Sequence, residues 1–176
     1  MIRTLLARLN ASGDIALPTL ARFSFAAVLA GYFWASAKTK LDGVLTPSFN
    51  SYAQIFPRQM EAAGYDISGF GAFHWLVIMA GSYAEFVLPA LIILGLATRV
   101  AALGMIGFVA VQTLTDKIGH GADLGAWFDR ASDSLIADQR LLWVLLLTTL
   151  VLKGAGPLSL DRLIAKRILP PHPSQG

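Results

Sequence analysis

The chain has 176 residues, 55% of them hydrophobic and 14% charged, with a formal net charge of +3. A soluble domain is about a quarter charged, so this is membrane-protein composition, and the small, scattered positive charge gives no footing for a nucleic-acid partner. There is no cysteine, which excludes disulfides, thiolate metal sites and dithiol relays within the chain.

The length suits a single domain, residues 1–176, with four spans. Met1 to Asp14 is a polar and basic leader with Leu5, Leu6 and Leu9 at helical spacing, which either lies along the membrane surface or frays. Arg3, Arg8 and Arg22, the apolar run Phe23–Trp34 and then Ala35-Ser36-Ala37 imitate a signal peptide with an A-x-A site. The long region before the run, with Asp14 in it, favours an uncleaved first span over residues 17–37. Arg22 lies about one turn inside that span, close enough to snorkel to the edge, and Tyr32 and Trp34 approach the far interface.

Residues 38–71 form a long loop. Pro47 and Pro57 mark turns, a short helix is expected over Arg58–Ala63, and Phe49, Tyr52, Phe56 and Phe70 call for packing against the helices. Residues 73–94 are a second span with Pro89 as a kink, and Gly95-Leu96-Ala97-Thr98-Arg99 is a tight turn into a third span over 100–114. Gly104 and Gly107 on that span suit close approach of another helix, either in the same chain or from a second copy in a homo-oligomer. An acidic loop with Trp127 and Phe128 leads to a fourth span over 135–152, closed by Gly154-Ala155-Gly156-Pro157. Residues 159–169 are a basic amphipathic segment suited to an anionic leaflet, and Pro170–Gly176 is tail. With both termini inside, the inner face collects Arg3, Arg8, Arg22, Arg99, Lys153, Arg162, Lys166 and Arg167, while the outer segments carry more acidic than basic residues. The expected fold is therefore all-α: an integral membrane four-helix bundle, up-down-up-down, with both termini cytoplasmic.

Glu85 stands near the centre of the second apolar run, where a carboxylate is costly and marks a functional hypothesis. Either it takes a proton or a ligand, or it ties helices together by hydrogen bonds. By depth, Gln112 and Tyr32 are its expected neighbours, whereas Arg22 and Arg99 fall roughly 10–20 Å nearer the inner face. His74 precedes Glu85 by eleven residues, about three turns, so the two share a face with Gly81 between them. It is either a proton relay or metal ligand on a path to the carboxylate, or a polar interfacial anchor. His120 and His172 carry no stronger case, and no histidine pair has zinc or haem spacing, so no metal site is expected. Lys38 and Lys40, with His74, Asp116, Asp138 and Arg140, either line an outer vestibule for an anion or a quinone head group or form a snorkelling rim. The spread aspartates of the second loop fit a solvated or docking surface better than a divalent cation site. Arg99 either holds a lipid phosphate or partner carboxylate, or anchors a helix start at the inner leaflet; Arg22 is the second such anchor.

These pieces resemble the DoxX family of small four-span bacterial membrane proteins. The resemblance rests on Gly31 with Lys38, on Ala84-Glu85 followed by Leu94-Gly95-Leu96-Ala97-Thr98-Arg99-Val100-Ala101-Ala102-Leu103, and on the closing Gly154-Ala155-Gly156-Pro157-Leu158-Ser159-Leu160-Asp161. It favours Lys38 over Lys40 as a site residue and implies a multi-pass protein of the bacterial cytoplasmic (inner) membrane. Members are associated with respiratory or redox membrane complexes, including a thiosulfate:quinone oxidoreductase subunit, or with proteins of metal and oxidative stress. The resemblance thus implies an accessory subunit of a redox complex, with a quinone-like or lipid molecule near Glu85 and a quinone as the candidate cofactor. The alternative is a non-enzymatic anchor or carrier in the lipid bilayer that docks a periplasmic or membrane protein partner. A small transporter would need oligomerisation, since four spans are few for alternating access.

Overall fold

The computed structural model describes residues 1–168; the tail from 169 onward, with His172 and the last residue of the amphipathic segment, lies outside them. The first helix, α1 (Ile2–Thr39), is one continuous run of 38 residues with a π turn at Ala26–Ala30. At 1.5 Å per residue it is about 57 Å long, nearly twice the thickness of a hydrocarbon core. The leader is therefore neither frayed nor a separate surface segment: it is rich in Leu, Ala and Arg, strong helix formers, and it extends the first helix with residues 2–12 exposed on every side. Asp14 marks where the rest of the molecule begins, pairing with Lys153 at 2.6 Å.

A short antiparallel ribbon, β1 (Leu41–Gly43) and β2 (Thr46–Pro47), follows. Its tip is fastened to the next long helix, where Trp75 donates its indole N–H to the Leu45 carbonyl at 3.0 Å. Ser48 caps α2 (Phe49–Ile55) by accepting from the Ser51 N–H. Pro57 opens α3 (Pro57–Ala62) at its first position, where the missing N–H costs nothing. Met60 is fully buried, so this loop packs down rather than floating.

The long helices α4 (Ala72–Leu94) and α5 (Thr98–Leu114) form an antiparallel hairpin, and α5 continues through a second π turn, Thr115–Gly119. Gly95, at φ 66°, ends α4 in the left-handed conformation, with the Leu96 N–H closing on the Leu91 carbonyl at 2.9 Å. Pro89 removes the N–H that would serve the Glu85 carbonyl one turn back, and in that opened turn Trp34 of α1 donates to the Phe86 carbonyl at 3.2 Å. The sixth helix, α6 (Ala137–Lys153), packs on α5 and α1, and α7 (Leu160–Ile168) follows the Gly-Pro break. Among the described residues three helices, Ile2–Thr39, Ala72–Leu94 and Thr98–Gly119, are long and apolar enough to cross a membrane; α6 has 17 residues.

Phe25, Leu29 and Phe33 of α1, Ile92 of α4, Ala101, Ala102, Met105 and Val109 of α5, and Leu147 and Leu150 of α6 make one core. The small pair Ala101–Ala102 admits close helix approach. The opposite faces of the same helices expose Val28, Leu76, Leu103 and Leu145, an arrangement suited to lipid.

At the end of the core where α4 turns into α5, two charges close the structure. The Arg22 guanidinium donates to the carbonyls of Ile92 at 2.9 Å and Ala155 at 3.1 Å, and also to those of Ile93 and Leu158. It thereby serves the unsatisfied C-terminal carbonyls of α4, where a cation is also favoured by the helix dipole. Asp161 accepts from the N–H groups of Ala97 and Thr98, at 2.7 and 3.0 Å, and caps the start of α5. Its own N–H donates to the Gly95 carbonyl at 2.8 Å. The segment 154–161 is held to the hairpin by this one main-chain hydrogen bond and by the Arg22 and Asp161 side chains.

Candidate functional site

Tyr32, Ser36 and Lys40 recur every four residues along α1, and Val77, Gly81 and Glu85 do the same along α4, so each trio lies on one helix face. Those faces meet Phe108, Val111 and Gln112 of α5 around a cavity of about 290 Å³. Thr115, Asp116 and His120, at and just beyond the second π turn, complete the wall together with Gln54 and Ile55 of α2.

The polar part of the wall is a buried ion pair. Lys40 and Glu85 are only 8% and 2% exposed. The Lys40 ammonium commits all three of its protons: to Glu85 Oε1 at 2.8 Å, to Glu85 Oε2 at 2.7 Å and to Ser36 Oγ at 2.7 Å. Ser36 Oγ in turn donates to Glu85 Oε1 at 3.2 Å. A charge can stay buried when it is both paired and hydrogen-bonded, and the α1–α4 contact supplies both conditions. Beside the pair, Gln112 Nε2 donates to Tyr32 Oη at 2.9 Å, and Gln112 Oε1 is buried without a partner among the described residues.

A second ion pair holds the far wall. Arg140 of α6, itself buried, bonds the Asp116 carboxylate and donates to Thr113 Oγ1 at 2.7 Å. His120 Nε2 donates to the Gln54 carbonyl at 2.9 Å, which ties the end of the π turn to α2. Among the described residues no group of three or more His, Asp or Glu side chains is placed to hold a metal ion.

A family model for DoxX matches residues 17–117, more than half of the chain. The chain belongs to the DoxX family. The match spans every cavity-wall residue named above except His120. With its membrane-length helices this DoxX protein is a membrane protein in contact with the lipid bilayer. Comparison with curated proteins and with solved structures finds no match.

The structure brings Glu85, Gln112 and Tyr32 to one cavity. Lys38 does not reach it: Lys38 is exposed, and Lys40 occupies the position beside Glu85. Helical phase is the reason, since residue 40 lies on the Tyr32–Ser36 face and residue 38 about 160° away. His74 also stays outside. Its ring stands among Phe56, Phe70 and Phe73 at centroid distances of 4.8, 4.7 and 5.6 Å, with Nε2 on Gln59 Oε1 at 2.8 Å and Nδ1 buried without a partner among the described residues. Asp138 closes on Ser134 at the start of α6 instead of facing a vestibule. Arg99 packs against Gly154 and Arg22 caps α4, so neither pairs with Glu85. Sequence reasoning passed over Ser36 and gave His120 no role, and it placed Asp116 in an outer vestibule with Asp138 rather than in this wall. The four-residue step from Tyr32 through Ser36 to Lys40 was the available signal for Ser36; the π turn that leads to His120 has none.

Proposed function

We propose that this DoxX protein is an accessory subunit of a redox or respiratory membrane complex, and that the cavity at Glu85 holds the head group of a quinone-like or lipid molecule. The observation that carries the ligand reading is the juxtaposition of the buried Lys40–Glu85 pair with an apolar wall of Val77, Phe108 and Val111 around about 290 Å³. Small-molecule sites combine a mostly apolar lining with a few fixed polar groups in this way. The redox half of the proposal rests on the family's associations. In this reading the chain makes four spans, up-down-up-down, in the bacterial inner membrane. Its Arg- and Lys-bearing turns at Arg99 and Lys153 face the cytoplasm together with both termini, in keeping with the positive-inside rule. Glu85, Gln112 and Tyr32 contact the head group, and Lys40 holds the Glu85 carboxylate in place.

The test is native mass spectrometry of the detergent-purified protein beside Lys40→Met and His74→Ala. The expected result is a stoichiometric small molecule on wild type and His74→Ala that is lost from Lys40→Met, its mass separating quinone from lipid. Retention of the molecule by Lys40→Met removes the cavity as the site.

A second reading, an anchor that docks a periplasmic partner, draws on Phe128, which is fully exposed in the acidic loop beside Trp127 and Asp129. Loss of a co-purifying protein from Phe128→Ser, with the cavity ligand absent throughout, would favour it.

A further inference from the structure

The hydrogen-bond inventory of the cavity constrains what can occupy it, granted the reading that the cavity is a ligand site. All three Lys40 protons are already committed, two to Glu85 and one to Ser36. The ammonium therefore has no donor left for a ligand. Glu85 is different. Its Oε1 accepts from both Lys40 and Ser36, whereas the one donor to Oε2 among the described residues is Lys40. A carboxylate oxygen accepts two hydrogen bonds, so Oε2 keeps one acceptor position.

Charge gives the second constraint. Lys40 with Glu85 is electrically neutral, and so is Arg140 with Asp116 across the cavity. The other titratable groups facing the space are Tyr32 of α1 and His120 beyond the π turn. A charged ligand would bring an uncompensated charge beside two closed pairs, at a desolvation cost of several kcal/mol per ion. A neutral molecule brings none.

We propose that the cavity selects a neutral amphiphile whose head carries an O–H donor, a phenol or an alcohol, bonded through that proton to Glu85 Oε2, with its apolar body against Val77, Phe108 and Val111. Between two redox forms of a quinone-like molecule, the dihydroxy form meets this requirement and the dione does not. A ligand hydroxyl on a carboxylate is a charge-assisted hydrogen bond, roughly twice as strong as a neutral one. The donor proton thus decides the contact at Glu85 Oε2.

The test uses two probes of nearly equal size: 2-naphthol, which has the donor, and 2-methoxynaphthalene, which has lost it. Binding is measured by equilibrium dialysis on the full chain in nanodiscs, with empty nanodiscs subtracted. Wild type should hold 2-naphthol about tenfold or more tighter. The double variant Lys40→Met/Glu85→Leu removes both charges together, so that neither is left buried alone, and should bind the two probes equally. Equal affinity on wild type overturns the donor rule while leaving the cavity as a site, provided that the double variant weakens both. A naphthol preference that survives in the double variant also overturns it. Absence of saturable binding of either probe to wild type removes the ligand reading of the cavity itself, and the donor rule with it.

Discussion

The two ends of the helix core handle charge in opposite ways. Where α4 turns into α5, Arg22 and Asp161 bind main chain: carbonyls of Ile92, Ile93, Ala155 and Leu158 on one side, the N–H groups of Ala97 and Thr98 on the other. There is no room left there, since a Cβ on Gly95 would lie 2.6 Å from Ser159 Cβ and 2.8 Å from Arg22 Cζ. At the cavity, Lys40 and Glu85 bind each other and a serine, next to open space. Charges that satisfy helix termini are fixed by the backbone and serve the fold. A charge pair that satisfies only itself, beside a void, retains an acceptor and can serve a ligand.

The largest effects should come from removing one half of either arrangement. Arg22→Met leaves four carbonyls without their donor, three of them in part-buried bonds, and an orphaned buried group costs about 1–3 kcal/mol. Unfolding in mixed micelles should show a loss of about 3 kcal/mol or more, with no rescue by any change at Asp161, because the two residues serve different peptide groups. A loss below about 1 kcal/mol would mean that water or lipid replaces the guanidinium, and the contrast would collapse at that end. At the other end, Lys40→Met alone or Glu85→Leu alone should each cost about 3–5 kcal/mol, because the remaining charge is buried unpaired. The double variant should return most of that stability. Additive losses in the double variant would show that the pair is held by separate contacts rather than by each other.

Two glycines sharpen the same comparison at a smaller scale. Gly95→Ala places a side chain at φ +66° and into Ser159 and Arg22, so a loss of about 2 kcal/mol or more is expected from the left-handed conformation together with the clash. Gly81 lies on the helical face between Val77 and Glu85, and a Cβ there meets nothing within 4 Å. Gly81→Leu should leave stability within about 0.5 kcal/mol while filling the cavity, so that ligand or probe binding falls without a change in unfolding. Equal losses of stability at both positions would mean that the void closes in the folded protein.

The helices, and the turn between the second and third spans, were legible because their signals are local. Apolar runs of membrane length, Gly95 as a C-cap and Arg99 in the turn are read from neighbouring residues alone. The Lys40–Glu85 pair was not legible, because charges were placed by the depth of their Cα atoms. A lysine side chain covers several ångströms, which lets residue 40 at the helix end meet residue 85 well inside α4. Phase along α1 then decides between Lys38 and Lys40, and phase is visible only once the partner face is known. Arg22 read as a snorkelling anchor because its true partners are carbonyls, and main-chain groups leave no residue-specific trace. His120 was lost to a loop assignment, since Ile118-Gly119-His120 carries no mark of a helix prolonged by a π turn.

The smallest expected effect tests the turn that separates the two regions. Ala97 is a non-glycine residue at φ 47°, ψ 38°, held there while its N–H bonds Asp161. An alanine in the left-handed region pays about 1–2 kcal/mol, a strain that persists only where surrounding contacts over-determine it. Ala97→Gly removes the strain but gives the unfolded chain more freedom, a loss of roughly 0.4–1 kcal/mol. The balance should be a stabilisation of a few tenths of a kcal/mol up to about 1 kcal/mol, read as a small rise in the unfolding midpoint with the cavity's ligand affinity unchanged. A destabilised variant would show that the Ala97 methyl group is itself a packing contact at the Asp161 cap, and that side-chain packing as well as main-chain hydrogen bonding holds that end closed.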